Sequence, residues 1–192
     1  MLCPDLYVPS VREIDLSRLV ARGIKGIVVD IDNTFVDWGS PDIPEKALAF
    51  FDEARVRGLR MCVLSNNFRS RIDAICNILG IPAARGLKPM PSAFRAALAV
   101  LGTTPGETAV IGDQVFTDVL GGNLVGIYTI LVTPTSHREF ITTRIVRRLE
   151  RVVLGYLGKR GMLTLQTRME AAGEDLPLRR QDADRCVGRD AY

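Results

Sequence analysis

At 192 residues, 47% hydrophobic and 24% charged, the chain is long enough to bury a full core. Its ordinary composition excludes a disordered, fibrous or disulfide-scaffold protein. A formal net charge of +3 names no partner, but it is unevenly spread: residues 137–161 hold seven Arg and Lys against two Glu, and the remainder is slightly acidic.

In chain order, Asp15–Arg22 reads as a short helix and Ile24–Ile31 as a buried strand. Glu45–Arg57 follows as an amphipathic helix, with Pro44 just before it and Gly58 just after. Leu59–Ser65 is a second strand, Phe68–Leu79 a helix closed by Gly80, and Pro82–Gly86 a short connecting segment. Pro91–Leu101 is a helix with proline in its first turn, Thr108–Ile111 a strand, Asp118–Leu124 a helix and Gly126–Val132 a further strand. Strands alternating with helices predict an α/β fold, a mostly parallel sheet covered on both faces. The domain is expected to span residues 1–136. Glu139–Leu157 forms a basic amphipathic helix, with Ile141, Ile145, Leu149, Val152 and Tyr156 on one apolar face and Arg144, Arg147, Arg148 and Arg151 along one flank. Residues 162–192, mixed in charge and weakly apolar, read as a flexible tail.

Cys3, Cys62, Cys76 and Cys186 form no C-x-x-C pair and read as reduced thiols. The single histidine, His137, reads as a surface residue and argues against a His-based metal site. No stretch reaches the length of a membrane span, and the amino terminus shows no secretory pattern, so a cytoplasmic location is expected.

Polar residues gather at the carboxyl ends of the strands. The first long strand ends in Asp30 and Asp32, the second in Ser65-Asn66-Asn67, and the third in Gly112-Asp113, with Asp118 five residues on. Lys88-Pro89 lies in a loop before a helix. In a parallel sheet these ends share one edge, where ligands bind. Crowded carboxylates repel, and a divalent cation relieves the repulsion. An all-oxygen donor set with no His or Cys nearby favours Mg²⁺. The hydroxyl and amides at Ser65-Asn66 and the Lys88 ammonium suit the remaining oxygens of a phosphoryl group. Of two acids one residue apart, one attacks phosphorus and the other handles the proton. Asn66 and Asn67 also suit the role of helix caps.

Taken together, Asp30-x-Asp32-x-Thr34, Ser65, Lys88 and Gly112-Asp113-x-x-x-x-Asp118 resemble the four motifs of the haloacid dehalogenase (HAD) superfamily, over roughly residues 24–133. The segments Asp-Ile-Asp-Asn-Thr, Leu-Ser-Asn-Asn and Leu-Lys-Pro-Met resemble the bacterial YqeG family of subclass IIIA, related to the mitochondrial phosphatidylglycerophosphate phosphatase. The resemblance implies a Rossmann-like three-layer sandwich and a phosphatase working through an aspartyl-phosphate. It implies Asp30 as nucleophile and metal ligand, and Asp32 as general acid/base with its backbone carbonyl a second ligand. Asp113 becomes a third ligand. Ser65, Asn66 and Lys88 bind the phosphoryl group, Thr34 braces the first loop, and Asp118 orients a metal-bound water or holds Lys88.

The intervals Thr34–Ser65 and Ser65–Lys88 each leave room for one helix, the first also for a flap around Trp38, so no cap domain (the C0 type) is expected. An open pocket suits a large presented substrate. With the basic helix, this points to an anionic phospholipid monoester and peripheral contact with the inner face of the membrane through 138–160. Alternatives are a nucleotide, protein or polynucleotide phosphate as substrate, a receiver-type signalling domain, or a binding protein that kept the pocket without turnover. No specific nucleic-acid partner is predicted.

Overall fold

The computed structural model describes residues 1–37, 40, 42–135, 141–161 and 163, and for 141–147 the backbone alone. Trp38, His137, Cys186 and the tail expected over 162–192 lie outside the described residues, except Leu163, which is half-buried. Five strands, β1 (Leu6–Val8), β2 (Gly26–Val29), β3 (Arg60–Val63), β4 (Thr108–Gly112) and β5 (Tyr128–Val132), form one wholly parallel sheet in the order β1-β5-β4-β2-β3. The helices are α1 (Leu16–Ala21), α2 (Glu45–Val56), α3 (Arg69–Leu79), α4 (Pro91–Leu101), α5 (Leu120–Val125) and α6 (Ile141–Lys159).

Successive residues of β2 explain the layering. Ile27 and Val29 point to a core shared with Leu19 of α1, Phe51 of α2 and Ile75 of α3, whereas Val28 points to the opposite core with Phe94, Ala97 and Leu101 of α4. Both faces are covered, so the strands carry continuous aliphatic runs. The result is the expected α/β three-layer, Rossmann-like sandwich. The Thr34–Ser65 and Ser65–Lys88 intervals carry α2 and α3 among the described residues, in keeping with an uncapped domain.

Two local expectations change, and the orientation of α6, left open by the sequence, is settled for its described residues. Leu6–Val8, read as no element, pairs with β5 at the sheet edge; a strand this short offers no period to detect. The helix expected over Asp118–Leu124 begins earlier, as a wide π-type turn over Val115–Val119 that continues into α5. Of the apolar face read for α6, the described side chains turn outward. Leu149, Val152 and Tyr156 are exposed, while Glu150 and Leu157 are buried and Val153 and Leu154 pack against Val115, Val119 and Leu131. Ile141 and Ile145 carry no described side chains.

Candidate active site

The chain from β2 turns sharply after Ile31, whose carbonyl accepts from the amides of Phe35 and Val36 at 3.0 and 3.1 Å. Asn33 takes the left-handed conformation at φ 60°, as a short polar side chain tolerates. The aromatic ring of Phe35 anchors the turn against Phe50 and Phe51, at centroid distances of 5.1 and 4.9 Å. This turn sets Asp30 inside the protein and Asp32 at its margin.

Around Asp30 the structure builds a buried ionic cluster. The Lys88 ammonium lies 2.8 Å from Asp30 Oδ1 and 2.7 Å from Asp118 Oδ1. Asp118 Oδ2 accepts from the Gln114 amide at 3.1 Å, which fixes the carboxylate from the other side. Thr34 Oγ1 donates to Asp113 Oδ1 at 3.4 Å. Carboxylate oxygens of Asp30, Asp113 and Asp118 all lie within 4.8 Å of one another. Asp118 crosses so close beneath β4 that a Cβ on Gly112 would sit 2.2 Å from its Cγ, so glycine is required there.

Electrostatics follow from burial. Burial pushes the Asp30 carboxyl up to about 6; Lys88 opposes the shift and Asp118 adds to it. For Lys88, burial alone would pull the ammonium down, but Asp118 and Asp30 more than offset it and hold the group charged above its ordinary range. Three carboxylates against one ammonium leave two negative charges when all are ionised. A divalent cation with oxygen ligands balances them, so the donor set fits a hard metal ion.

Asp32 is held differently. Its Oδ1 accepts from Arg71 Nε at 2.9 Å and Nη2 at 2.7 Å, and its Oδ2 accepts from Asn67 Nδ2 at 2.7 Å. Arg71 Nη1 also reaches the Ser40 carbonyl at 2.7 Å, tying the first turn of α3 to the loop after β2. The sequence reading missed Arg71. Its only signal was position: it lies four residues past Asn67 in a helix start that already holds Arg69.

The asparagines depart from their reading as helix caps. The residue before α3 is Phe68, and no side chain caps that helix. Asn66 instead joins two loops, donating to the Lys88 carbonyl at 3.0 Å and accepting from the Lys88 amide at 2.8 Å. Ser65 Oγ, half-buried, accepts from the Asn67 amide at 3.3 Å. Asp30, Ser65, Lys88, Asp113 and Asp118 thus meet at one sheet edge with Asp32 and Thr34 beside them.

This edge, with a buried acid cluster, one captive lysine and a second acid two residues along, defines a phosphotransfer-type α/β domain. Comparison with known proteins gives the family. Residues 87–153 match a model described as HAD-hydrolase-like. The chain is 37% identical over 159 residues to "Probable phosphatase YqeG" of Bacillus subtilis, covering 82% of this chain and 92% of that protein. It is 31% identical over 171 residues to "Phosphatidylglycerophosphate phosphatase 1, chloroplastic/mitochondrial" of Arabidopsis thaliana, covering 83% of this chain and 49% of that protein, about half its length. It is 29% identical over 146 residues to "Phosphatidylglycerophosphatase GEP4, mitochondrial" of Saccharomyces cerevisiae, covering 68% of this chain and 78% of that one. The chain belongs to the YqeG family of HAD phosphatases, and it is a phosphatase of that superfamily.

Proposed function

We propose that the protein is a Mg²⁺-dependent phosphomonoesterase that dephosphorylates phosphatidylglycerophosphate at a membrane surface. The observation that carries the reaction is the placement of Asp30 against Lys88, with Asp113 and Asp118 within 4.8 Å and Asp32 two residues along. The lipid reading is supported by the names of two relatives and by the absence, among the described residues, of any domain over the acid cluster.

An oxygen of ionised Asp30 attacks the phosphorus. The bond from phosphorus to the leaving glycerol oxygen breaks, and Asp32 passes its proton to that oxygen. Asp32 then takes a proton from water as the water oxygen attacks the aspartyl-phosphate. The bond from phosphorus to Asp30 breaks, inorganic phosphate leaves, and both acids return to their starting forms. Ser65, the Asn66 amide and Lys88 hold the phosphoryl oxygens, Thr34 keeps Asp113 in place, and Asp118 holds Lys88. Asp30, Asp113 and the Asp32 main-chain carbonyl would hold Mg²⁺, which supplies positive charge opposite the phosphoryl group.

The outward face of α6 supports a peripheral location. Leu149, Val152 and Tyr156 are exposed beside exposed Arg148 and Arg151, an apolar stripe with a basic margin that suits an anionic bilayer. Among the described residues no helix is long and apolar enough to cross a membrane. The inner face of a cytoplasmic membrane is the proposed location, with residues 1–136 as the phosphatase domain.

The test is an assay with Mg²⁺ against phosphatidylglycerophosphate in mixed micelles, a nucleoside monophosphate and a phosphopeptide. Preference for the lipid is expected; preference for either soluble substrate would overturn the lipid reading and leave the phosphatase in place.

A further inference from the structure

Three large apolar side chains stand in solvent within two residues of catalytic-site groups: Phe68 at 76% exposure, Leu87 at 66% and Met90 at 56%. Phe68 follows Asn67, which touches Asp32, and Leu87 and Met90 bracket Lys88, which touches Asp30. The two segments that carry them are tied together. Asn66 binds both the amide and the carbonyl of Lys88, and the Met90 amide closes a turn onto the Leu87 carbonyl at 2.9 Å. Packing for stability does not need any of the three, because the cores on both sides of the sheet are complete without them. Exposed Arg69 opens α3 next to Phe68, 3.7 Å from exposed Asp73, and exposed Arg85 lies in the loop that carries Leu87, so each apolar segment has a guanidinium group beside it.

We propose that this rim is a membrane-docking surface: Phe68, Leu87 and Met90 enter the interfacial region of an anionic phospholipid bilayer while Arg69 and Arg85 meet its headgroups. The proposal rests on the lipid-phosphatase reading above and adds a place and an orientation. Docking by the rim points the carboxyl edge of the sheet at the membrane, so a phosphoryl group standing above the headgroup plane enters the pocket without the lipid leaving the bilayer. The chemistry that recognises the partner is that of an interface, apolar tips for acyl chains and guanidinium groups for phosphates. A phosphate-bearing bilayer is favoured over a protein surface because the apolar tips stand beside Asn67 and Lys88, in the segments proposed to receive a phosphoryl group.

Two measurements on the full chain test this. The first introduces tryptophan by Phe68→Trp and, separately, by Val100→Trp. Val100 is an exposed residue at the end of α4, by the opposite sheet edge, where Leu101 meets Gly26. Vesicles of equal parts phosphatidylcholine and phosphatidylglycerol with brominated acyl chains should quench the added fluorescence at 68 and leave that at 100 unchanged. The second combines Phe68→Ser, Leu87→Ser and Met90→Ser, with Phe68→Ser alone as a milder variant. The triple variant should bind the same vesicles at least tenfold more weakly and hydrolyse vesicle-borne phosphatidylglycerophosphate at least tenfold more slowly, with kcat/KM for para-nitrophenyl phosphate within twofold. Equal quenching at both sites, or vesicle binding unchanged by the substitutions, overturns the proposal and assigns the rim to a protein partner. Wild-type protein that binds vesicles through the rim but ignores the lipid substrate would instead overturn the function reading and keep the docking surface.

Discussion

The two edges of the sheet treat charged groups in opposite ways. At the amino edge, charge lies outside: Lys25 and Glu107 pair at 2.5 Å in solvent, and Thr104 and Glu107 close a capping box. Ile24, Leu59 and Leu101 there are buried, with Val100 beside them partly in solvent. At the carboxyl edge the order is inverted. Asp30, Lys88, Asp113 and Asp118 are buried, while Phe68, Leu87 and Met90 face water. Burying charge costs free energy that only close pairing recovers, and exposing large apolar groups gives up burial. One edge is arranged for stability; the other suits the proposed ligand, one with an anionic head and an apolar body.

The largest effect that would sharpen this contrast is Asp30→Asn. Phosphate release should fall by on the order of a thousandfold or more, because the amide cannot form the aspartyl-phosphate. The fold should survive with an unchanged or higher Tm, since the substitution removes a buried charge. Equal activity in a phosphate-release assay would end the enzyme assignment. Next comes Lys88→Met, which leaves Asp30 and Asp118 facing each other without their cation. Denaturant unfolding should show a loss of about 3–5 kcal/mol without metal, the cost of breaking a buried pair.

Third is pH. Asp30 titrates at about 6, raised by burial. In the proposed mechanism the ionised form attacks phosphorus and would hold the cation, so Mg²⁺ affinity by calorimetry should weaken as pH falls through 6 and stay flat above 7. The sign for stability is the reverse. The native state holds this proton more tightly than the unfolded chain, so without metal the Asp30 contribution to stability declines as pH rises from about 4 to about 6. Fourth, Arg71→Lys should lower kcat about tenfold with little change in KM, an effect of about 1.4 kcal/mol, because an ammonium cannot serve Asp32 Oδ1 twice while reaching the Ser40 carbonyl. The smallest effect belongs to the other edge. Lys25→Met should leave both Tm and turnover unchanged within error, since Lys25 is exposed and Glu107, itself partly exposed, keeps its bonds to Thr104. A measurable loss of activity there would break the contrast between the edges.

Much of the carboxyl edge is legible in the amino-acid sequence, and the reason is local. Each motif residue follows directly from a strand or opens a helix, so an aliphatic run and its punctuation place Asp30, Ser65, Asp113 and Lys88 without long-range information. Arg71 was not legible in the same way. Nothing in its helix distinguishes it from Arg69; its meaning comes from Asp32, 39 residues away in sequence. Asn66 offers the same lesson, because a residue that suits a helix cap by type was drawn off by a backbone on another loop.

The amino-acid order by itself determined the alternation of strands and helices, the parallel sheet and the identity of the acids on its edge, because apolar period and strand-end position are properties of short segments. Only the tertiary structure decided which side of α6 turns inward, that Arg71 holds Asp32, and that Phe68, Leu87 and Met90 stand clear of the core. Burial depends on what another element presents across the gap. A helix with apolar residues on two sides cannot choose between them until Val115, Val119 and Leu131 supply a surface for Val153 and Leu154.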